Sequence, residues 1–364
     1  MTTTTTTEKM IAVLEAARQK KPRAIGVQPT LNGSPVTMYA RREIVLSAGV
    51  FASPKLLELS GIGDPAILSR HGIPVRVANP YVGTNLQDHI LCSVSFEAAD
   101  GGSTGRRRRD RWQRAGVRRL GYLPTLDFAE NPGELGRALE MLDNDATTVP
   151  KHPLDSARRS ILRNFLEKAE EGTGQYLVLP AQSRAPGRDT TVNTIGADPQ
   201  PGNFVSIVTA LSHPLSTGES HISSADPSAH PTINHNYLLH PLDLELHARH
   251  ALTLERIAAT EPFASSVLKP NGRRHHPSAF LDGGLAKAKE YVKAASTTNW
   301  HSVGTCSMAP REKGGVVDAD LRVYGVEGLR VVDARVVPFV PQSNTQSLVY
   351  AVAERAAEII LGEV

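Results

Sequence analysis

Glu43-Ile44-Val45-Leu46-Ser47-Ala48-Gly49 is a continuous strand-like apolar run that ends in three small residues. A strand that is apolar on both faces has to be covered on both, which is the situation of a parallel sheet packed between helices. Ser53-Pro54 follows directly. Proline at the first helical position opens a helix, which carries Leu56, Leu57 and Leu59 and stops at Ser60-Gly61. The pattern predicts one βα unit. Ligands of open α/β sheets bind beyond the carboxyl ends of such strands, so Ala48, Gly49, Ser53 and Pro54 become candidate cofactor contacts.

The 364 residues leave room for two domains, or for one domain with a large insertion. Glu8–Lys20 has apolar residues at helical spacing and predicts a short helix, after a low-complexity threonine run read as disordered. Ala24–Val27 and Val36–Tyr39 predict two strands joined through Asn32-Gly33, a hairpin turn signal. Gly61-Ile62-Gly63-Asp64-Pro65-Ala66 has dinucleotide-fingerprint spacing, but it follows a helix and contains proline, and the fingerprint needs a strand before it. Beyond it, Leu91–Phe96 and Phe204–Leu211 read as strands. Leu135–Leu142, Ser156–Glu171, Asp243–Ala259 and Leu281–Ala295 read as helices. The middle of the chain is therefore mixed α+β, inserted between two stretches of α/β character.

Near the C-terminus, His301 stands beside Trp300 and ahead of Gly304-Thr305, a polar turn able to fix an imidazole ring. Histidine titrates near neutral pH and suits a general base. Asn344 can hydrogen-bond a substrate oxygen without taking its proton. Asn344 or Ser343 is expected to cap the helix Thr345–Leu361. The start of that helix, at Thr345 and Gln346, carries partial positive charge, available to a bound ligand or simply part of an ordinary packed helix. Asp333-Ala334 follows the strand Leu329–Val332, where small residues either let backbone approach a ligand or make a simple βα turn. Asn85 and Asp88, in the loop Val82–His89, could orient a cofactor or cap a turn. Cys306 reads as a buried small residue.

Several long segments, in order, resemble the glucose–methanol–choline (GMC) flavoprotein oxidoreductases. Ser47–Gly63 is similar to that family's second sequence motif, and Val82-Gly83-Thr84-Asn85-Leu86-Gln87-Asp88-His89 to its GxNLQDH segment. Leu215–Gly218 with His221-Ile222, then His301–Met308, Gly315–Asp318 and Leu329–Ala334 continue the order. The resemblance implies a doubly wound FAD-binding domain, here partial, with an inserted antiparallel-sheet substrate domain. It divides the chain into residues 1–90 and 296–364, which belong to the flavin domain and active-site segment, and 91–295, which bind substrate. It implies FAD as cofactor, a small-molecule alcohol as substrate, His301 as the residue that takes the hydroxyl proton and Asn344 as the second active-site position. The family's first βαβ segment with its G-x-G-x-x-G turn has no counterpart here, so association with an N-terminal half, or with another copy of the chain, is expected.

Other readings stay open at this level. The same histidine and asparagine could serve flavin-free acid–base chemistry (dehydration, isomerisation or ring closure), or the chain could be an inactive fragment. A net charge of +3 does not by itself indicate nucleic acid. The eight arginines between Arg106 and Arg119 read as solvated surface. Two cysteines cannot build a disulfide framework, and no apolar run approaches the ~20 residues of a membrane span.

Overall fold

The computed structural model describes residues 12–15, 21–31, 34–99, 119–144, 152–182 and 201–362. Ile44–Leu46 pairs in parallel with Leu329–Val331, with Ile44 opposite Leu329 and Leu46 opposite Val331. Residues almost three hundred positions apart thus share one small sheet. Helix Ala52–Leu59 follows the first of these strands, as the small-residue turn predicts, but it opens two residues ahead of Pro54, which stands at its third position and not at the expected first. The core here draws on both ends of the chain: Ala24, Ile44, Leu46, Leu57 and Val82 pack with Cys306, Val316, Val331 and Ala356.

The middle of the chain forms a five-stranded antiparallel sheet. Its order is Arg119–Leu123, Gly174–Leu179, Phe204–Leu211, Ile90–Glu97 and Thr297–Thr298. Phe204–Leu211 lies at the centre and is buried along its whole length. Helix Pro241–Ala258 packs on the sheet with Gly284–Ala295 beside it. Its start is specified locally: Pro241 follows His240, whose Nδ1 accepts from Leu242 N at 3.2 Å. Its inner face sends Ala248, Ala251 and Leu254 against Cys92, Phe96 and Ile207 in a second core. The structure is thus mixed α/β with an antiparallel sheet.

Two expectations change, and one strand is unforeseen. Within Glu8–Lys20, Ala12–Glu15 is a strand paired antiparallel to Arg23–Val27, and the other residues of that segment up to Lys20 lie outside the described ones. A short helix is marginal by itself, and a neighbouring strand edge supplies hydrogen bonds that local periodicity does not reveal. Strand Gly174–Leu179 carries no expectation in the sequence reading, yet it sits next to the sheet's centre. Asn344 occupies the N-cap of Thr345–Leu361, but neither it nor Ser343 caps that helix through its side chain. The hairpin reading fits its flanks, where Val27 pairs with Met38 and Leu31 with Ser34; the turn Asn32-Gly33 lies outside the described residues. The arginine run up to Arg118 also lies outside them. Among the described residues no helix is long and apolar enough to cross a membrane.

One buried ion pair ties the parallel unit to the rest. Glu58 is fully buried on helix Ala52–Leu59. It accepts from His221 Nδ1 at 2.6 Å and from Ile222 N at 2.8 Å. Burial pulls the His221 pKa down, but the hydrogen bond and charge of Glu58 outweigh it, and the net shift is upward. The pair's contribution is therefore complete below the free-imidazole pKa and is lost as pH rises through the elevated value. Glu58→Ala leaves His221 Nδ1 and the Ile222 amide without their acceptor inside the protein, with Glu219 3.7 Å from His221 Nε2 as a remaining carboxylate, and is expected to cost about 3 kcal/mol. Thermal denaturation should show wild type losing stability from pH 6 to pH 9 with respect to Glu58→Ala; parallel curves would remove this pair from the account.

Candidate active site

The site is built by two stretches that run antiparallel. Thr297 and Thr298 pair with Leu91 and Ile90. The ladder extends one step further, Asn299 N donating to His89 O at 2.9 Å. Trp300 then takes a left-handed backbone conformation, φ +57°, which turns the chain at the residue before His301. Beyond the turn, Gln87 and Val303 exchange backbone hydrogen bonds at 3.0 and 2.9 Å, and Gly83 N donates to Thr305 O at 2.9 Å. Gly304 permits this closeness. Its φ is +98°, and a Cβ there would lie 2.1 Å from Asn85 O.

Asp88 holds the turn from beneath. Its Oδ1 accepts from His301 N at 2.9 Å, and its Oδ2 from Thr298 Oγ1 at 2.5 Å, Tyr237 OH at 2.7 Å and Ser302 Oγ at 3.1 Å. Asn85 is equally committed: Nδ2 donates to Ser307 Oγ and Pro338 O, while Oδ1 accepts from Gln87 Nε2 and Arg158 Nη2. Asn85 is 2% exposed and Asp88 3%. The sequence leaves both open, to orient a cofactor or to cap a turn; the structure engages their side chains inside the protein, where they brace the segment that bears His301.

His301 is half-buried. Burial lowers its pKa, opposed by the charge of Asp88, so the ring is neutral and able to accept a proton near neutral pH. Its Nδ1 lies 2.8 Å from His89 Nδ1 and 3.1 Å from Asn299 Nδ2. Asn299 Nδ2 also reaches Gln175 Oε1 at 3.4 Å, and Gln175 Nε2 reaches Asn344 Oδ1 at 2.6 Å. His301 and Asn344, separated by more than forty residues, therefore belong to one hydrogen-bonded chain. Two of its links, Asn299 and Gln175, escaped the sequence reading. Gln175 lies on the unforeseen strand, whose Tyr-Leu-Val-Leu run was the available signal.

Ala48, Gly49, Ser53, Pro54, Asp333 and Ala334 follow the carboxyl ends of the parallel pair. Ser47 Oγ donates to Val332 O at 2.7 Å, Ala48 N to Ser53 Oγ at 3.2 Å and Gly49 N to Asp333 Oδ2 at 3.4 Å. Ser47, Ala48 and Gly49 are exposed, whereas Ser53 and Pro54 are buried in the first turn of their helix. Gly49 has φ +89°, and nothing lies within 4 Å of where a Cβ would stand. A ligand can thus approach this backbone closely. Ala334 opens a short helical turn, and Asp333 Oδ1 accepts from Arg335 N at 3.2 Å. Arg335, which the sequence reading also missed, is fully buried and forms an ion pair with Asp333. At the start of the C-terminal helix Thr345 is buried and Gln346 exposed.

Residues 1–91 and 214–353 each match a family model described as GMC oxidoreductase. Among curated proteins, the chain is 32% identical to the GMC oxidoreductase family protein Mala s 12 of Malassezia sympodialis, over 94% of this chain and 53% of that one. It is 33% identical to patulin synthase of Aspergillus clavatus, over 94% and 52%. The chain spans about half the length of the curated relatives it matches. A solved fungal aryl-alcohol oxidase superposes with a TM-score of 0.73 at 25% identity, covering 95% of this chain and 59% of that one. With two models matched in chain order and relatives aligned along nearly its whole length, the chain belongs to the GMC oxidoreductase family.

Proposed function

We propose that this chain forms the substrate-activating part of an FAD-dependent alcohol oxidoreductase, with His301 as general base and Asn344 as its hydrogen-bonding partner. The observation that carries the reading is the continuous chain His301–Asn299–Gln175–Asn344, which supports a common site for the imidazole and the carboxamide. An alkoxide expels hydride far more readily than an alcohol does. A neutral imidazole beside the hydroxyl therefore lowers the barrier by taking its proton, an effect of about 10²–10⁴-fold. Asn344 hydrogen-bonds the same group and limits its orientations.

FAD, when bound, supplies the acceptor for the substrate's hydride. Residues present here fit such a group. The open backbone at Ala48 and Gly49, with Asp333 and Ala334 beside it, suits a phosphate- or sugar-bearing chain. The C-terminal helix lacks a side-chain cap because Asn344 is drawn to Gln175, so its first-turn N–H groups and positive end are available to negative charge. The partial doubly wound character of this domain belongs to the same proposal. Val45 is 41% exposed, Tyr350 65% and Leu361 68%. Apolar side chains of this size suit coverage by the remainder of a flavin domain, on the same polypeptide or an associated one. The structural neighbour named aryl-alcohol oxidase supports a small alcohol as substrate.

His301→Ala is expected to lower alcohol turnover by about 10²–10⁴-fold while leaving FAD affinity intact, measured by steady-state kinetics and flavin titration; unimpaired turnover would assign the base elsewhere. In wild type, turnover should fall as pH drops through a value below the ordinary imidazole pKa of about 6.5, because His301 must be unprotonated and its pKa is lowered. An acid limb above that value would contradict the assignment. FAD at ~100 times its dissociation constant should stabilise the fold by about 2.7 kcal/mol. A melting temperature indifferent to saturating FAD would count against the flavin reading.

A further inference from the structure

We propose that His89 is a positioning residue that fixes the tautomer of His301, so that the base presents its lone pair on Nε2. His89 Nε2 lies 2.8 Å from Pro341 O and 3.1 Å from Ser212 O. A carbonyl oxygen accepts and cannot donate, so this nitrogen carries the hydrogen. His89 is 1% exposed, and burial, reinforced by the neighbouring imidazole, pushes its pKa down to about 4. The ring is therefore singly protonated near neutral pH, and its Nδ1 is bare.

That bare nitrogen faces His301 Nδ1 at 2.8 Å, with the two rings nearly perpendicular at 85°. Two lone pairs at this distance repel, so His301 Nδ1 brings the hydrogen. His301 Nε2 then holds the lone pair, and among the described residues nothing hydrogen-bonds it. The opposite arrangement would set a bare His89 Nε2 against two carbonyl oxygens. Asn299 adjusts to this choice, because its carboxamide oxygen and nitrogen exchange places by rotation. Turned, it offers its oxygen to the same N–H, and Gln175 and Asn344 turn with it, keeping donors against acceptors. Two main-chain carbonyls, in the segments after strand Phe204–Leu211 and before the C-terminal helix, thus set the direction of the whole polar chain.

The catalytic consequence rests on the reading of His301 as the base, whereas the tautomer does not. When His301 takes a proton on Nε2, its Nδ1–H stays bonded to His89. The imidazolium is then held in place without the two rings exchanging a proton.

The test is nitrogen-15 NMR of the full chain labelled at histidine, with resonances assigned by difference from His89→Asn and His301→Gln. The expected spectrum has His301 protonated at Nδ1 and bare at Nε2, and His89 the reverse. A His301 ring protonated at Nε2 would overturn the proposal, whether or not any alcohol is turned over. Kinetics give a second reading. His89→Asn keeps an acceptor near the position of Nδ1 and should retain most of kcat. His89→Leu removes it, and should lower kcat by about 10–100-fold, the scale seen when a ring's orienting partner is lost, with KM little changed and mixed His301 tautomers. A folded His89→Leu protein with wild-type kcat and an unaltered His301 spectrum would refute it. If His89→Leu does not fold, the wild-type spectrum decides alone.

Discussion

The antiparallel closure of residues 83–91 against 297–305 is the constraint from which the active region follows. It begins as ordinary sheet at Leu91 and Thr297, passes through the His89–Asn299 step and ends where Gly83 meets Thr305. Each of its backbone bonds is worth about 1 kcal/mol net. Their larger effect is geometric, because together they leave the backbone around His301 little freedom. Asp88 adds a buried carboxylate with donors on every side, and a buried charge without such partners would be costly. Placing the His301 imidazole here thus uses the same interactions that close the fold.

Much of this was legible in the residues. The apolar run at Ile44–Leu46, the small-residue turn and Pro54 specified the βα unit because each acts locally. The C-terminal helix was readable from apolar spacing alone. The pairing of Ile44–Leu46 with Leu329–Val331 was not, since no local pattern names a partner nearly three hundred residues away. Strand Gly174–Leu179 went unread for a related reason: its role comes from neighbours on both sides, not from alternation. With it went Gln175, the link between Asn299 and the Asn344 carboxamide. Asn85 and Asp88 show how the sequence leaves two readings open. Polar residues in a motif look like ligand contacts, and their use as internal braces emerges once burial is known. His89 belonged to the same motif, and no sequence signal placed its ring against His301.

The two segments that meet at the site differ in what supports them. His301 is carried by the edge of the large antiparallel sheet, next to Ile90–Glu97. Asn344 is carried by the C-terminal helix, whose Val352 and Ala356 pack with the parallel pair. Gln175 bridges them from the sheet side. A shift of one unit against the other would therefore strain this amide link together with the His89 Nε2–Pro341 O contact, which joins the same two segments.

Cys92 and Cys306 are both free thiols and fully buried, one in each hydrophobic core. Burial raises both pKa values to about 12, so neither is a reactive thiolate while its surroundings stay closed. The chain thereby contains two silent reporters. Alkylation of one sulfur ahead of the other would reveal which half breathes first, and simultaneous modification would mean that the halves open as a single cooperative body.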